Sequence, residues 1–213
     1  MSTSLPTLAI ESEYDGIIVA IDEVGRGPWA GPVVACATVL DANCIPDGIR
    51  DSKQLSRTKR KTLFDAICSS ARTSIGLSTV REIEELNIFH ATMQAMCRAY
   101  EGLGGDATVA LIDGNHAPKD LPCPTRCVVK GDAISLSIAA ASIVAKVTRD
   151  RMMAELAQEH PGYGWETNVG YGTREHQEGI RTFGLTPHHR RNWGPIRAIL
   201  DKTEKPQLTL LNA

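Results

Sequence analysis

The stretch Ile17-Ile-Val-Ala-Ile-Asp-Glu-Val-Gly-Arg-Gly-Pro28 decides the fold. Ile17 to Ile21 is a short apolar run rich in β-branched residues, the pattern of a buried strand. It stops at Asp22-Glu23, after which Gly25, Gly27, Pro28, Gly31 and Pro32 punctuate a tight loop. Val33 to Leu40 is apolar again, so the two runs are expected to form a hairpin.

Working outward, Ser56 is expected to cap a helix running to about Ala71, with a strand over Thr73 to Val80. A helix follows from about Ile88 to Tyr100, then an apolar β-type run from Ala107 to Ile112 ending in Asp113. Arg126 to Lys130 reads as a short strand leading to Gly131-Asp132. Ala133 to about His160 reads as one long helix, whose Ala-Ala-Ala-Ser centre suits close packing. A Gly-rich turn over Pro161 to Gly172 precedes a helix capped by Thr173. Strands first, then mixed strands and helices, imply an α/β sheet with helices on its faces.

The chain has 213 residues and a formal net charge of −2, with 42% hydrophobic and 23% charged residues. This is the composition of a globular protein and excludes disorder or fibrous repeats for most of its length. A protein held on nucleic acid by general attraction carries a basic excess, so any nucleic-acid contact here must come from local patches. No run reaches the roughly 18 apolar residues of a membrane span. Met1 to Ser12 lacks the basic-then-apolar pattern of a secretory signal, so a cytoplasmic location is expected. Among six cysteines only Cys123 and Cys127 have a metal-like spacing, with no second pair, and no zinc is assigned.

Asp22-Glu23, Asp113 and Asp132 share one layout: each follows an apolar strand-like run. If those strands are neighbours, the carboxylates converge at the sheet edge where ligands sit in open α/β sheets. Gathered carboxylates raise one another's pKa unless cations neutralise them. An all-oxygen set of this kind suits Mg²⁺ or Mn²⁺, and two such ions can drive phosphodiester hydrolysis. Aspartate also favours strand ends for turn geometry alone, but Asp22-Glu23 runs directly into Val-Gly-Arg-Gly-Pro. Gly25 and Gly27 allow close backbone approach to a ligand, and Arg26 can meet a phosphate.

Ile21-Asp-Glu-Val-Gly-Arg-Gly-Pro28 with Ala30-Gly-Pro-Val-Val34 resembles the opening signature of ribonuclease H type 2, the bacterial ribonuclease HII family. The resemblance continues through Asp51-Ser-Lys-Gln-Leu-Ser56, Ile112-Asp-Gly114, Lys130-Gly-Asp132 and Ala139-Ala-Ala-Ser-Ile-Val-Ala-Lys-Val-Thr-Arg-Asp150. Gly170-Tyr-Gly-Thr173, Glu175-His176 and Pro187-His-His-Arg-Arg191 complete it, in order, to about residue 200.

The resemblance implies a ribonuclease H-like mixed sheet flanked by helices, with a small C-terminal helical extension. It places the catalytic domain at 16–205, its C-terminal helical part starting at about 151, with tails at 1–15 and 206–213. It implies an endoribonuclease that cuts the RNA strand of RNA–DNA hybrids and incises 5′ of single ribonucleotides in duplex DNA, leaving 5′-phosphate and 3′-hydroxyl ends. Asp22, Glu23, Asp113 and Asp132 would be the catalytic carboxylates and ligands of two Mg²⁺ or Mn²⁺ ions. Asp150 is the alternative to Asp132, although its neighbours Arg149 and Arg151 make a salt bridge the expected role. Gly25, Arg26 and Gly27 would read the ribose, and Tyr171 would pack on the following sugar. Lys53, Lys146 and Arg191 would contact phosphates, while Arg57 to Lys61 can equally be a solvated basic face. Separately, outside the family motifs, the tail Gln207-Leu-Thr-Leu-Leu211 is similar to the short peptides by which replication proteins dock on a sliding clamp. A monomer without membrane contact is expected. A carboxylate-metal DNA nuclease or strand transferase of related fold is the alternative, which the Gly-Arg-Gly reader and Tyr171 argue against.

Overall fold

In a computed structural model, residues 5–204 are described; the clamp-like segment Gln207 to Leu211 lies outside them. A five-stranded mixed sheet has the order β3-β2-β1-β4-β5, with β1 (Ile18–Val24) at its centre, β2 (Val33–Val39), β3 (Arg72–Ser78), β4 (Val109–Asp113) and β5 (Thr125–Val128). β1 pairs antiparallel with β2 through the expected hairpin and parallel with β4, which pairs parallel with β5.

The pleat sorts the side chains of β1. Val19 and Ile21 join Ala91, Ala95 and Met96 of α2 (Val80–Glu101) in one core. Ala20 faces the other way and packs with Ile138 of α3 (Leu136–Glu159). The Ala139-Ala-Ala141 stretch near the start of α3 is fully buried, and α1 (Arg57–Ser70) completes the layer with Leu63 and Ile67. Small side chains let this helix lie close to the sheet.

Several boundaries differ from the sequence reading. β1 extends through Val24, so Asp22 and Glu23 lie within the strand, opposite Cys36 and Ala35, rather than after it. Val80 belongs to a helix and not to β3: Thr79 and Glu82 form a capping box. That helix breaks at Asn87, whose positive φ of 65° marks a kink and whose Oδ1 accepts from the backbone N–H groups of Phe89 and His90. Asn87 therefore caps a second helical segment where the sequence placed its start, near Ile88. The long helix begins only at Leu136, capped by Ser135, after a 3₁₀ turn over Gly131–Ala133. The Gly-rich turn contains a four-residue helix, α4 (Trp165–Asn168), and is followed by α5 (Arg174–Phe183), capped as expected by Thr173, and α6 (Gly194–Glu204). Part of the segment read as an N-terminal tail is docked. Thr7 bridges to Ser135, and buried Glu11 accepts from Ser135 Oγ at 2.6 Å and Ser137 N at 3.0 Å at the start of α3.

Candidate active site

The parallel register places Ile21 opposite Ile112, so the next residues of the two strands, Asp22 and Asp113, emerge side by side at their carboxyl ends. β5 ends at the same edge. Lys130 then turns the chain in a left-handed conformation, φ 57°, and the Gly131 N–H donates to Asp113 Oδ1 at 2.7 Å. This fold-back brings Asp132 beside Asp113, and Lys53 closes the group with Nζ 3.6 Å from Asp132 Oδ2. All four sequence-selected carboxylates thus share one end of the sheet.

Electrostatics mark them as a set. Asp22 is held well above the usual carboxylate range by burial and by the charges of Glu23 and Asp113, against hydrogen bonds from Ser142 and the Glu23 backbone. Glu23 is raised by burial, with Asp113 adding to the rise and Arg26, 3.3 Å away, opposing it. Asp132 is raised by burial and by Asp113 and Asp51, with Lys53 opposing. Burial works against the Lys53 charge, yet Asp132, Asp51, Asp22 and Asp113 together hold its pKa above the ordinary value. A hard, all-oxygen donor set with surplus negative charge fits a divalent cation of the Mg²⁺ or Mn²⁺ class. Asp51, which also caps the 3₁₀ turn carrying Lys53, and Ser142, buried against Ser52, were not singled out from sequence. Both sit inside quoted motifs, which was the only signal they offered.

The Gly25–Pro32 loop is built from behind by two buried arginines. Arg149 donates to Pro32 O at 2.9 Å, Val169 O at 2.9 Å and Ala30 O at 3.0 Å. Arg190 donates to Gly25 O at 2.5 Å, Arg26 O at 2.9 Å and Gly31 O at 2.9 Å. Burial lowers their pKa values to about 10 and about 9, the second helped by repulsion from Arg149, so both stay charged at pH 7. Carbonyl dipoles stand in for counter-ions. Gly25 has φ +100°, and a Cβ there would meet Arg149 Nε and lie 2.7 Å from Pro32 O. A Cβ on Gly27 would lie 3.4 Å from Tyr171 Cε1, so the Gly-Arg-Gly turn and the half-exposed Tyr171 ring face each other across the site.

Tyr171 is held by a buried histidine pair. Its carbonyl must accept from His176 Nδ1, 2.9 Å away, which leaves His176 Nε2 to accept from Trp165 Nε1 at 3.1 Å and His189 Nε2 at 3.1 Å. His189 Nδ1 then accepts from Thr186 N at 2.9 Å. Both rings are neutral in this arrangement. Burial lowers His176, and burial followed by the neighbouring His176 pushes His189 down to about 3. His189 itself is buried.

The remaining basic residues divide. Lys146 pairs with Asp150 at 2.8 Å one helical turn on, so the salt bridge expected at Asp150 forms with Lys146, while Arg149 bonds backbone carbonyls and Arg151 lies 3.7 Å from Asp65. Arg60 is structural, donating to Ser52 O and Leu55 O, both at 2.7 Å. Arg57, Lys61 and Arg151 line a cleft of about 390 Å³ between α1 and α3. The Arg191 backbone N–H donates to Glu84 Oε1 at 2.6 Å, with the residue exposed. Among the described residues no helix is long and apolar enough to cross a membrane.

Comparison with known proteins adds a family context. The family model described as Ribonuclease HII matches residues 19–195. Ribonuclease HII of Jannaschia sp. (strain CCS1) is 56% identical over 195 residues, covering 92% of this chain and 98% of its own length. That of Paramagnetospirillum magneticum is 53% identical over 196 residues, covering 90% and 97%. Among solved structures, ribonuclease H2 from Pyrococcus horikoshii OT3 matches with a TM-score of 0.76 at 28% identity, covering 89% of this chain and all of that one.

Proposed function

The chain belongs to the ribonuclease HII family, hydrolases that cleave RNA in RNA–DNA hybrids, and from that premise we propose that it also incises duplex DNA 5′ of single ribonucleotides. The observation that carries this reading is the approach of Gly27 to Tyr171 beside the carboxylates. A glycine turn able to hydrogen-bond a 2′-hydroxyl, facing a ring able to pack on the next sugar, is a reader of an RNA-to-DNA step.

In this reading Asp22, Glu23, Asp113 and Asp132 are the catalytic carboxylates and hold the divalent ions on which the family depends, two Mg²⁺ or Mn²⁺. Such ions supply activation of a water and neutralisation of charge at the scissile phosphate. Lys53 offers its ammonium to the phosphate and returns to Asp132 when the substrate leaves. Arg26, about half exposed and only 3.3 Å from Glu23, swings to a phosphate while the Gly25 and Gly27 backbone reads the ribose. Lys146, Arg191 and the cleft lined by Arg57, Lys61 and Arg151 carry the flanking duplex by phosphate contacts that are blind to sequence and sensitive to salt. The catalytic unit is 16–205, with the C-terminal helical part from about 151 carrying Tyr171 and Arg190. It acts as a cytoplasmic monomer, and Gln207 to Leu211 docks on a sliding clamp; deleting 206–213 should then abolish clamp binding and leave cleavage intact.

The test is cleavage of a labelled DNA duplex containing one ribonucleotide, with Mg²⁺, with Mn²⁺ and with chelator, beside an all-DNA control. Metal-dependent incision 5′ of the ribonucleotide is expected. Sites built to bond a hydroxyl reject its absence by about 10⁴-fold, so the control should stay intact. Equal cutting of both duplexes would overturn the ribose reader and favour the DNA-nuclease alternative.

A further inference from the structure

Away from the carboxylate edge, Glu159, His160 and His188 bring one ligand atom each to within 4.8 Å of one another. Glu159 is the last residue of α3 and His160 caps that helix, while His188 arrives from the loop after α5. Their imidazole centroids are 5.2 Å apart. Among the described residues none of these three side chains is spent on a hydrogen bond or ion pair, so their lone pairs are available together. Burial, and then the proximity of His160, lowers the pKa of His188, which favours the neutral imidazole that binds metals. The carbonyl end of a 24-residue helix adds favourable potential for a cation.

We propose that Glu159, His160 and His188 form a second metal site, selective for a borderline ion such as Zn²⁺ and separate from the carboxylate set. Two imidazoles and one carboxylate are a zinc-type donor set with a fourth position left for water, whereas Mg²⁺ prefers oxygen donors alone. Tetrahedral bonds of about 2.1 Å put ligand atoms about 3.4 Å apart, so closure requires a shift of about 1 Å, within rotamer adjustment of an exposed glutamate and two half-buried histidines. Its consequence would be mechanical. The His188 carbonyl accepts from Gly31 N at 2.9 Å, and Ala30 bridges to His189. An ion here would tie the end of α3 to the segment that supports the Gly25–Pro32 loop.

The experiment is a Zn²⁺ titration of the untagged full chain against a chromophoric zinc indicator, in excess Mg²⁺ to occupy the carboxylates. It compares the wild type with His160→Ala/His188→Ala, His160→Asn and Asp22→Asn, each checked for native circular dichroism. One Zn²⁺ per chain is expected, retained in Asp22→Asn and lost in the double variant. His160→Asn leaves the backbone cap bond to Leu156 O in place and should still weaken binding at least the roughly 10-fold that disturbing a ligand's surroundings costs. Zn²⁺ should also raise the wild-type Tm by about 2–4 °C, and the double variant should not respond. Undiminished binding in both histidine variants, loss of binding in Asp22→Asn, or no saturable Zn²⁺ binding by the wild type would each overturn the proposal.

Discussion

At the carboxyl edge of the sheet Asp22, Glu23, Asp113 and Asp132 crowd negative charge that Lys53 and Arg26 only partly offset. Behind the Gly25–Pro32 loop the situation is reversed. Arg149 and Arg190 bury positive charge, and the His176–His189 pair stays neutral, with carbonyls and imidazoles as the partners described. The first region is held under mutual repulsion and gains from a cation. The second is fully satisfied internally and has little reason to move. In the proposed function one supplies chemistry and the other a rigid frame, and each is tuned by burial acting on opposite charges.

Replacing a charge at the edge tests the first half most severely. Asp22→Asn should lower hybrid cleavage by at least ~10³-fold, measured as single-turnover rates in Mg²⁺. The same variant should raise the Tm of the metal-free protein at pH 7, since it removes a buried charge repelled by two others. A lower Tm would mean that the edge is not strained.

Replacing a charge in the frame should act through stability. Arg190→Met leaves the carbonyls of Gly25, Arg26 and Gly31 without their donor and should cost about 3 kcal/mol or more in urea unfolding. Arg190→Lys should recover little, because one ammonium cannot reproduce the fork. His176→Phe keeps the ring but removes the donor to Tyr171 O and the acceptor for Trp165 and His189. It should lower preference for the single-ribonucleotide duplex over a continuous hybrid by about 10-fold, at a stability cost of about 1–3 kcal/mol. Hybrid cleavage and selectivity falling in step would separate His176 from Tyr171.

Gly27→Ala should leave Tm nearly unchanged, because the added methyl fits at 3.4 Å from Tyr171. Its ribonucleotide incision should still fall about 10-fold, as backbone approach is blocked. A comparable fall in Tm would show that Gly27 is structural.

The effects spread over pH have opposite signs in the two regions. His189 is depressed to about 3 and His176 is also lowered, so the unfolded chain binds protons that the native one refuses. Their stabilising contribution is present above pH 6.5 and falls as pH drops toward about 3, by at most about 1.4 kcal/mol per pH unit for each ring. Asp22, Glu23 and Asp132 are raised. Without metal, their contribution is greatest at acid pH and is lost as pH rises through the raised values. Tm against pH for Asp22→Asn should flatten the second trend alone, and saturating Mg²⁺ should do the same.

The strands that carry the carboxylates were legible because apolar β-branched runs ending in Asp are a local pattern, and the motifs around them were specific enough to identify the family. The small Ala139–Ala141 stretch of α3 and the Thr173 cap were legible for the same reason. The break at Asn87 was visible only as the start of its second half, since a side-chain cap inside a continuous helical pattern leaves little compositional trace. Arg149 read only as a neighbour of Asp150 and Arg190 only as part of the Pro187–Arg191 motif, because a buried arginine and a phosphate-binding one are the same letter until burial separates them. Local pattern along the chain determined which residues are strand, helix and carboxylate. Contacts between residues distant in sequence decided what they do: Arg190 on Gly25, Tyr171 against Gly27, His188 beside Glu159. Charge, burial and hydrogen-bond partners belong to that three-dimensional arrangement, and none of them is a property of a residue by itself.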